Sequence, residues 1–242
     1  MSAPRVSAVV AAAGLSRRFS PYGKKQFAEL GGKPIVAHSI CTLESSEFVK
    51  SIVVVVPEDE ISRSKDLLKG LGFEKITSVV GGGKKRHISV RNGFRATPPE
   101  SDMVLIHDAA RPFINNDMIK KVLDGCVCTG ACICAVAVTD TLKQTEKHGM
   151  FVSETVSRKN IWRAQTPQVF HRDILEEIYR SDAVAEIDAT DESALVEAMG
   201  INVQIVEGSN LNIKITTAAD LEIAELILSK GGSVSVQNRN RV

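Results

Sequence analysis

The stretch Val6-Ser7-Ala8-Val9-Val10-Ala11-Ala12-Ala13-Gly14-Leu15-Ser16-Arg17-Arg18-Phe19 decides the fold. Val6–Val10 is almost continuously apolar, as a strand covered on both faces must be, and the small residues behind it let the backbone turn tightly and approach a ligand. Working outward, Ile52–Val56, Ile76–Val80, Met103–Ile106 and Ala131–Val138 repeat the β-branched, apolar pattern. Helical periodicity separates them at Pro34–Leu43, Ile61–Leu71, His87–Ala96 and Met118–Leu123. Doubly covered strands alternating with helices predict an α/β chain with a doubly wound, mostly parallel sheet built from right-handed crossovers.

After Val138 the alternation weakens. Leu142–Thr145 and Phe151–Thr155, joined through Lys147-His148-Gly149, read as a hairpin leaving the main sheet, a projecting β-arm of about residues 142–164. The arm carries apolar Leu142, Phe151, Val152, Val156, Ile161 and Trp162 and so calls for a partner surface, which predicts a homodimer. Trp162 reads as packing there. Helices follow at Asp173–Arg180 and Glu192–Met199, the second with N-cap candidates Asp188, Thr190 and Asp191. A last strand is expected at Asn212–Ile215, then a helix over Ala218–Leu228 opened by a Thr217/Asp220 capping box. No repeat or long linker interrupts this order, so one domain over residues 1–230 is expected, with a flexible polar tail at 231–242.

The chain has 242 residues, 43% hydrophobic, with 30 Lys+Arg against 29 Asp+Glu, enough for a substantial core. A net charge of +1 and 5% aromatic residues argue against a nucleic-acid binder, which needs a basic field and stacking side chains. No apolar run approaches the roughly 20 residues that span a bilayer, and no secretory leader is evident, so a cytoplasmic protein without a membrane partner is expected. Cys126, Cys128, Cys132 and Cys134 crowd together but lack zinc-knuckle spacing, and they read as buried, inert thiols.

In an open parallel sheet, ligands bind beyond the carboxyl ends of the strands. There the chain places the loop from Ala11 onward, cation-rich from Arg17 through Lys24 and Lys25 to Lys33, and a second Gly-rich loop, Gly81-Gly82-Gly83-Lys84-Lys85-Arg86, at the start of a helix. Both suit phosphate. The P-loop fails because Phe19 stands where its second Gly belongs, and the dinucleotide fingerprint fails because Ser16 replaces its second Gly. The fourth strand ends in His107-Asp108-Ala109-Ala110-Arg111-Pro112: a carboxylate able to meet Mg²⁺ or a sugar hydroxyl, beside a histidine that reads as packed. The composite is a nucleoside triphosphate across the strand tips, with Lys and Arg neutralising charge that develops in phosphoryl or nucleotidyl transfer.

Several blocks together resemble the 2-C-methyl-D-erythritol 4-phosphate cytidylyltransferases. They are Ala12-Ala13-Gly14-x-Ser16-x-Arg18-Phe19, Lys25-Gln26-Phe27, Gly82-Gly83 with Arg86 and Ser89, His107 to Pro112, Thr166-Pro167-Gln168, Thr190-Asp191-Glu192-Ser193 and Asn212-Ile213-Lys214-Ile215-Thr216. The resemblance implies a Rossmann-like nucleotidyltransferase that joins CTP to a sugar-alcohol phosphate with Mg²⁺ or another divalent cation. It implies catalytic roles for Arg18, Lys25, Arg158 and Lys214, and CTP binding by Ala12, Ala13, Gly14, Gly83, Arg86, Ser89, Asp108 and Ala109. Arg111, Thr141, Arg158, Thr166 and Lys214 are implied to hold the second substrate, some of them across a dimer, and Asp108 to face the metal. Ser16 and Lys84 depart from the family pattern without removing a cation. A ribitol-5-phosphate cytidylyltransferase and an inactive nucleotide-binding module are the alternative readings.

Overall fold

The first apolar run forms the parallel strand the sequence predicts, and the sheet is assembled around it. A computed structural model describes residues 4–14, 27–146, 149–180 and 189–231. In it β1 (Val6–Ala11) is followed by a short hairpin, β2 (Glu29–Leu30) and β3 (Lys33–Pro34). Next come α1 (Ile35–Ser45), β4 (Val49–Val56), α2 (Ile61–Gly70), β5 (Ile76–Gly81), α3 (Arg86–Arg95), β6 (Met103–Asp108), α4 (Asn116–Thr129) and β7 (Ala131–Ala137). The arm is β8 (Leu142–Thr145) and β9 (Val152–Val156), and the chain returns through β10 (Trp162–His171), α5 (Arg172–Arg180), α6 (Glu192–Ala198), β11 (Gln204–Glu207) and α7 (Ala218–Ser229).

The main sheet has seven strands in the order β11-β7-β10-β6-β1-β4-β5. All neighbours pair parallel except β10, which runs antiparallel to both β6 and β7. Its two faces carry separate apolar layers. Ala8 and Val10 of β1 pack with Ile40 of α1, Leu68 of α2 and Val122 of α4. Val9, pointing the other way, packs with Phe94 of α3, Ile178 of α5 and Leu195 of α6. That double cover is the reason the strands lack polar alternation. The α3 helix lies so close to the sheet that a Cβ at Gly93 would come within 2.5 Å of Val9 and 2.6 Å of Val55. Among the described residues no helix is long and apolar enough to cross a membrane.

Some expectations need correction. Asn212–Ile215 is not a strand: it crosses the strand tips as a loop, held by Ile215 N–H to the Ala110 carbonyl (2.9 Å) and Arg111 Nη1 to the Asn212 carbonyl (2.8 Å). The strand of this region is β11, an edge strand whose short, half-polar sequence gave no signal. Trp162–Ala164 belong to the main sheet rather than the arm, paired with Ala135–Ala137. The helix expected over Met118–Leu123 extends to Thr129, Gly125 notwithstanding, because its apolar face continues through Cys126. Asp191, not Thr190, caps α6 by accepting from Ala194 N–H, and Asp188 lies outside the described residues. So do Lys147, His148 and the tail from 232 onward.

Other expectations hold. Thr217 and Asp220 form the capping box of α7. The β8–β9 hairpin pairs apart from the main sheet. Of the four cysteines expected to be buried, Cys126, Cys132 and Cys134 are, and burial pushes their thiols up to about 12, 11 and 12, away from the reactive thiolate; Cys128 departs from the expectation and is exposed.

Candidate active site at the strand tips

The carboxyl ends of β1, β4, β5 and β6 are stitched into one platform by backbone hydrogen bonds. Ala12 N–H donates to the Val55 carbonyl (2.7 Å), Gly82 N–H to Val56 (2.8 Å), and Ala109 N–H to Ala11 (3.1 Å). At Gly82 a Cβ would stand 2.3 Å from the Cβ of Ala13, so only glycine lets the two small-residue loops meet. Ser89, on the first turn of α3, folds the second loop: its Oγ accepts from Gly83 N–H (3.0 Å) and lies 3.2 Å from the Lys85 carbonyl, to which it donates. These bonds and contacts bring Ala12, Ala13, Gly83, Ser89 and Ala109 together at the strand tips, with Gly14 next in the chain after Ala13.

Asp108 is the electrostatic centre. Its Oδ1 accepts from Arg86 Nη2 (3.0 Å), its Oδ2 accepts from Lys214 Nζ (2.6 Å), and Arg111 Nε lies 3.9 Å from Oδ2. Burial opposes ionisation, but Arg86 and Lys214 outweigh it and hold the carboxyl well below the usual carboxylate range. Arg86 also donates through Nη1 to Glu192, which is completely buried. Burial pushes the Glu192 carboxyl up, against the pull of Arg86. Arg111 turns to the loop after β11 and bonds the Asn212 carbonyl, while Asn212 donates to the carbonyl of Thr166 (2.8 Å).

His107 is structural, as its position suggested. Its Nε2 lies 3.1 Å from the Arg111 carbonyl oxygen, which only accepts, so that nitrogen carries the proton. Burial pushes the ring down to about 4, so it is neutral near pH 7 and Nδ1 accepts from the Thr166 hydroxyl (2.9 Å). Thr166 Oγ1 in turn accepts from Asp108 N–H (3.1 Å). Thr166, predicted as a substrate contact, therefore already braces the strand tip.

The structure brings together Arg86, Asp108, Arg111, Thr166 and Lys214, from four separate blocks of sequence. It does not bring Thr141 or Arg158 to them: both are exposed on the arm side, and Arg158 donates to the Thr139 carbonyl. Arg18 and Lys25 lie outside the described residues, as do Ser16, Arg17 and Lys24. Sequence reading missed Glu192, and also the bond from Gln168 Nε2 to Asp191 Oδ2 (2.8 Å) that ties two motif blocks together. The acidic pair Asp191-Glu192 was the only available signal, in a block that otherwise carried no role.

Solved structures share this fold. The 4-diphosphocytidyl-2C-methyl-D-erythritol synthase of Anaerococcus prevotii superposes with a TM-score of 0.80 at 29% identity, covering 94% of this chain and 100% of that one. The 2-C-methyl-D-erythritol 4-phosphate cytidylyltransferase of Thermus thermophilus gives 0.74 at 28% identity, covering 93% and 99%. Fold and site together make this chain a Rossmann-like nucleotidyltransferase. Curated relatives named 2-C-methyl-D-erythritol 4-phosphate cytidylyltransferase include those of Syntrophus aciditrophicus, 39% identical over 94% of this chain and 97% of the relative, and Pelotomaculum thermopropionicum, 41% identical over 93% and 94%. With the profile of that family matching residues 6–230, the chain belongs to the 2-C-methyl-D-erythritol 4-phosphate cytidylyltransferases.

Proposed function

We propose that this chain transfers CMP from CTP to the phosphate of 2-C-methyl-D-erythritol 4-phosphate, releasing pyrophosphate, in isoprenoid precursor synthesis. The observation that carries the reading is the Asp108 cluster, which gathers Arg86, Arg111 and Lys214 where parallel strands end. In the reaction, an oxygen of the sugar-alcohol phosphate attacks the α-phosphorus of CTP, the bond to the β-phosphate oxygen breaks, and its electrons leave with pyrophosphate. No covalent enzyme intermediate is needed, so the protein's task is positioning and charge stabilisation.

In this reading Ala12, Ala13, Gly14, Gly83, Arg86, Ser89, Asp108 and Ala109 hold CTP. Arg18, Lys25 and Lys214 stabilise charge at the α-phosphate. Lys214 is suited to this because its ammonium is partly exposed and held by a carboxylate that phosphate oxygens can replace. Arg111, Thr141, Arg158 and Thr166 hold the sugar-alcohol phosphate, with the arm delivering Thr141 and Arg158 within a homodimer. The protein acts in the cytoplasm, without nucleic-acid or membrane partners, on one domain over residues 1–230 with a polar tail.

For the divalent cation, Asp108 is ionised, the state a hard cation requires, but both its oxygens already accept from cations, and the described residues hold no cluster of three metal-ligating side chains. This donor set fits Mg²⁺ carried mainly by phosphate oxygens and water, with Asp108 as a single protein ligand. When bound, the cation supplies neutralisation of the departing pyrophosphate.

The test is pyrophosphate release from CTP with 2-C-methyl-D-erythritol 4-phosphate and with ribitol 5-phosphate, side by side. Turnover with the first alone is expected. Preference for ribitol 5-phosphate, or no turnover with either, overturns the reading. Within it, Lys25→Ala and Arg18→Ala each lower kcat on the order of 10²- to 10³-fold, the scale for removing one transition-state charge partner.

A further inference from the structure

Arg86 is held from behind by a carboxylate that the reaction itself does not call for. Glu192 opens α6, is wholly buried, and accepts from Arg86 Nη1. The same guanidinium reaches Asp108 Oδ1 through Nη2 at 3.0 Å and Nε at 3.4 Å. Three of the five N–H bonds of a guanidinium are thereby taken up, and its plane is fixed between an acid on α6 and an acid on β6. Two N–H bonds remain for a ligand.

The arrangement leaves buried polar atoms without partners among the described residues. Glu192 Oε1 is buried with no hydrogen-bond partner among the described residues, and the Tyr179 hydroxyl, close enough for Glu192 to influence its ionisation, is buried and likewise unpartnered. A buried carboxylate with an unsatisfied oxygen carries a desolvation cost, and Asp108, shared with Lys214 and Arg111, is the other counter-charge of Arg86. What the second acid adds is orientation: with one anchor the guanidinium pivots about Asp108, and with two it cannot.

We propose that Glu192 is a positioning residue for nucleotide binding, acting through Arg86, which it presets at the strand tips. The inference rests on the CTP reading above.

The test is Glu192→Gln, which preserves shape and removes charge, combined with Arg86→Ala in a double-mutant cycle. CTP affinity is read by calorimetry, stability by thermal unfolding, and kcat and KM by steady-state turnover. Glu192→Gln is expected to weaken CTP binding about tenfold, the lower range for one charge-assisted hydrogen bond. It should raise the KM for CTP in step while leaving kcat within about threefold, and lower Tm, because it takes one partner from a buried ion pair; in the Arg86→Ala background, where that pair is already broken, the same change should leave Tm unchanged or higher. In the Arg86→Ala background the same change should alter CTP affinity less than twofold. CTP affinity within twofold of the unsubstituted chain, an equal further loss in the Arg86→Ala background, or failure of Glu192→Gln to fold would each overturn the proposal, the last by assigning Glu192 to the fold. If the unsubstituted chain binds no CTP, the functional reading fails as well, an outcome separate from the others.

Discussion

Lys214 Nζ lies 2.6 Å from Asp108 Oδ2, joining the loop after β11 to the tip of β6. The pair is asymmetric: the ammonium is 39% exposed and the carboxylate 10%. A ligand phosphate can therefore reach the lysine from solvent, while Asp108 Oδ1 stays paired with Arg86 behind it.

The asymmetry separates two variants. Lys214→Ala is expected to lower kcat on the order of 10²- to 10³-fold with little change in Tm, because Asp108 keeps its guanidinium partners. Asp108→Ala leaves cations facing one another in a buried site and is expected to cost about 3–5 kcal/mol of stability, read by chemical denaturation. A Lys214→Ala enzyme retaining more than half of kcat would remove that lysine from the reaction.

His107 gives a pH dependence. Its folded pKa, about 4, lies below the unfolded value of 6.5, so the unfolded chain binds the extra proton first as pH falls. Its contribution to stability is fully present above pH 6.5 and is lost as pH falls from there toward 4. At ~1.4 kcal/mol per pKa unit the contribution is about 3 kcal/mol. His107→Gln keeps a donor for the Arg111 carbonyl and should flatten the fall in Tm between pH 7 and pH 5; an unchanged slope would show that other groups set it.

Gly93→Ala tests the packing of α3. The added Cβ would sit 2.5 Å from Val9 and 2.6 Å from Val55, both fully buried, so neither can move aside without shifting a strand. A loss of about 1–3 kcal/mol is expected, measured by denaturant titration, without altered CTP affinity in the folded fraction.

The arm tests the proposed assembly. Met150 and Phe151 are 96% and 78% exposed, with Val152 and Trp162 also open to solvent. Apolar side chains so placed are covered in a partner surface or left wet at a penalty. Sedimentation of the intact chain as a dimer at micromolar concentration is expected, with deletion of Lys143–Thr155 yielding a monomer.

Arg158 reads out the division between loops and arm. Arg158→Lys keeps the charge and loses the fork, so KM for the sugar-alcohol phosphate should rise about ten- to a hundredfold with CTP affinity nearly unchanged. Equal weakening toward both ligands would assign Arg158 to the nucleotide site or to the fold.

The sequence by itself determined what depends on neighbouring residues and on burial of apolar surface. Val6–Val10 could only be a doubly covered strand, Thr217 and Asp220 could close a helix end without help, and the two Gly-rich loops announced themselves after strands. Tertiary structure decided what depends on partners distant in the chain. Gln165, Thr166 and Gln168 are polar and flank a proline, so Trp162–His171 gave no strand signal, yet β6 and β7 pair with it and the side chains find partners in His107, Asp191 and the loop around Asn212. Asn212–Ile215 shows the reverse: an alternating pattern that suits a strand, whose bonding groups go instead to Ala110, Arg111 and Thr166. Glu192 belongs with these. An acid on a helix is usually solvated; this one is buried with Arg86, 106 residues earlier in the chain, folded against it, and only the assembled sheet brings the two charges together.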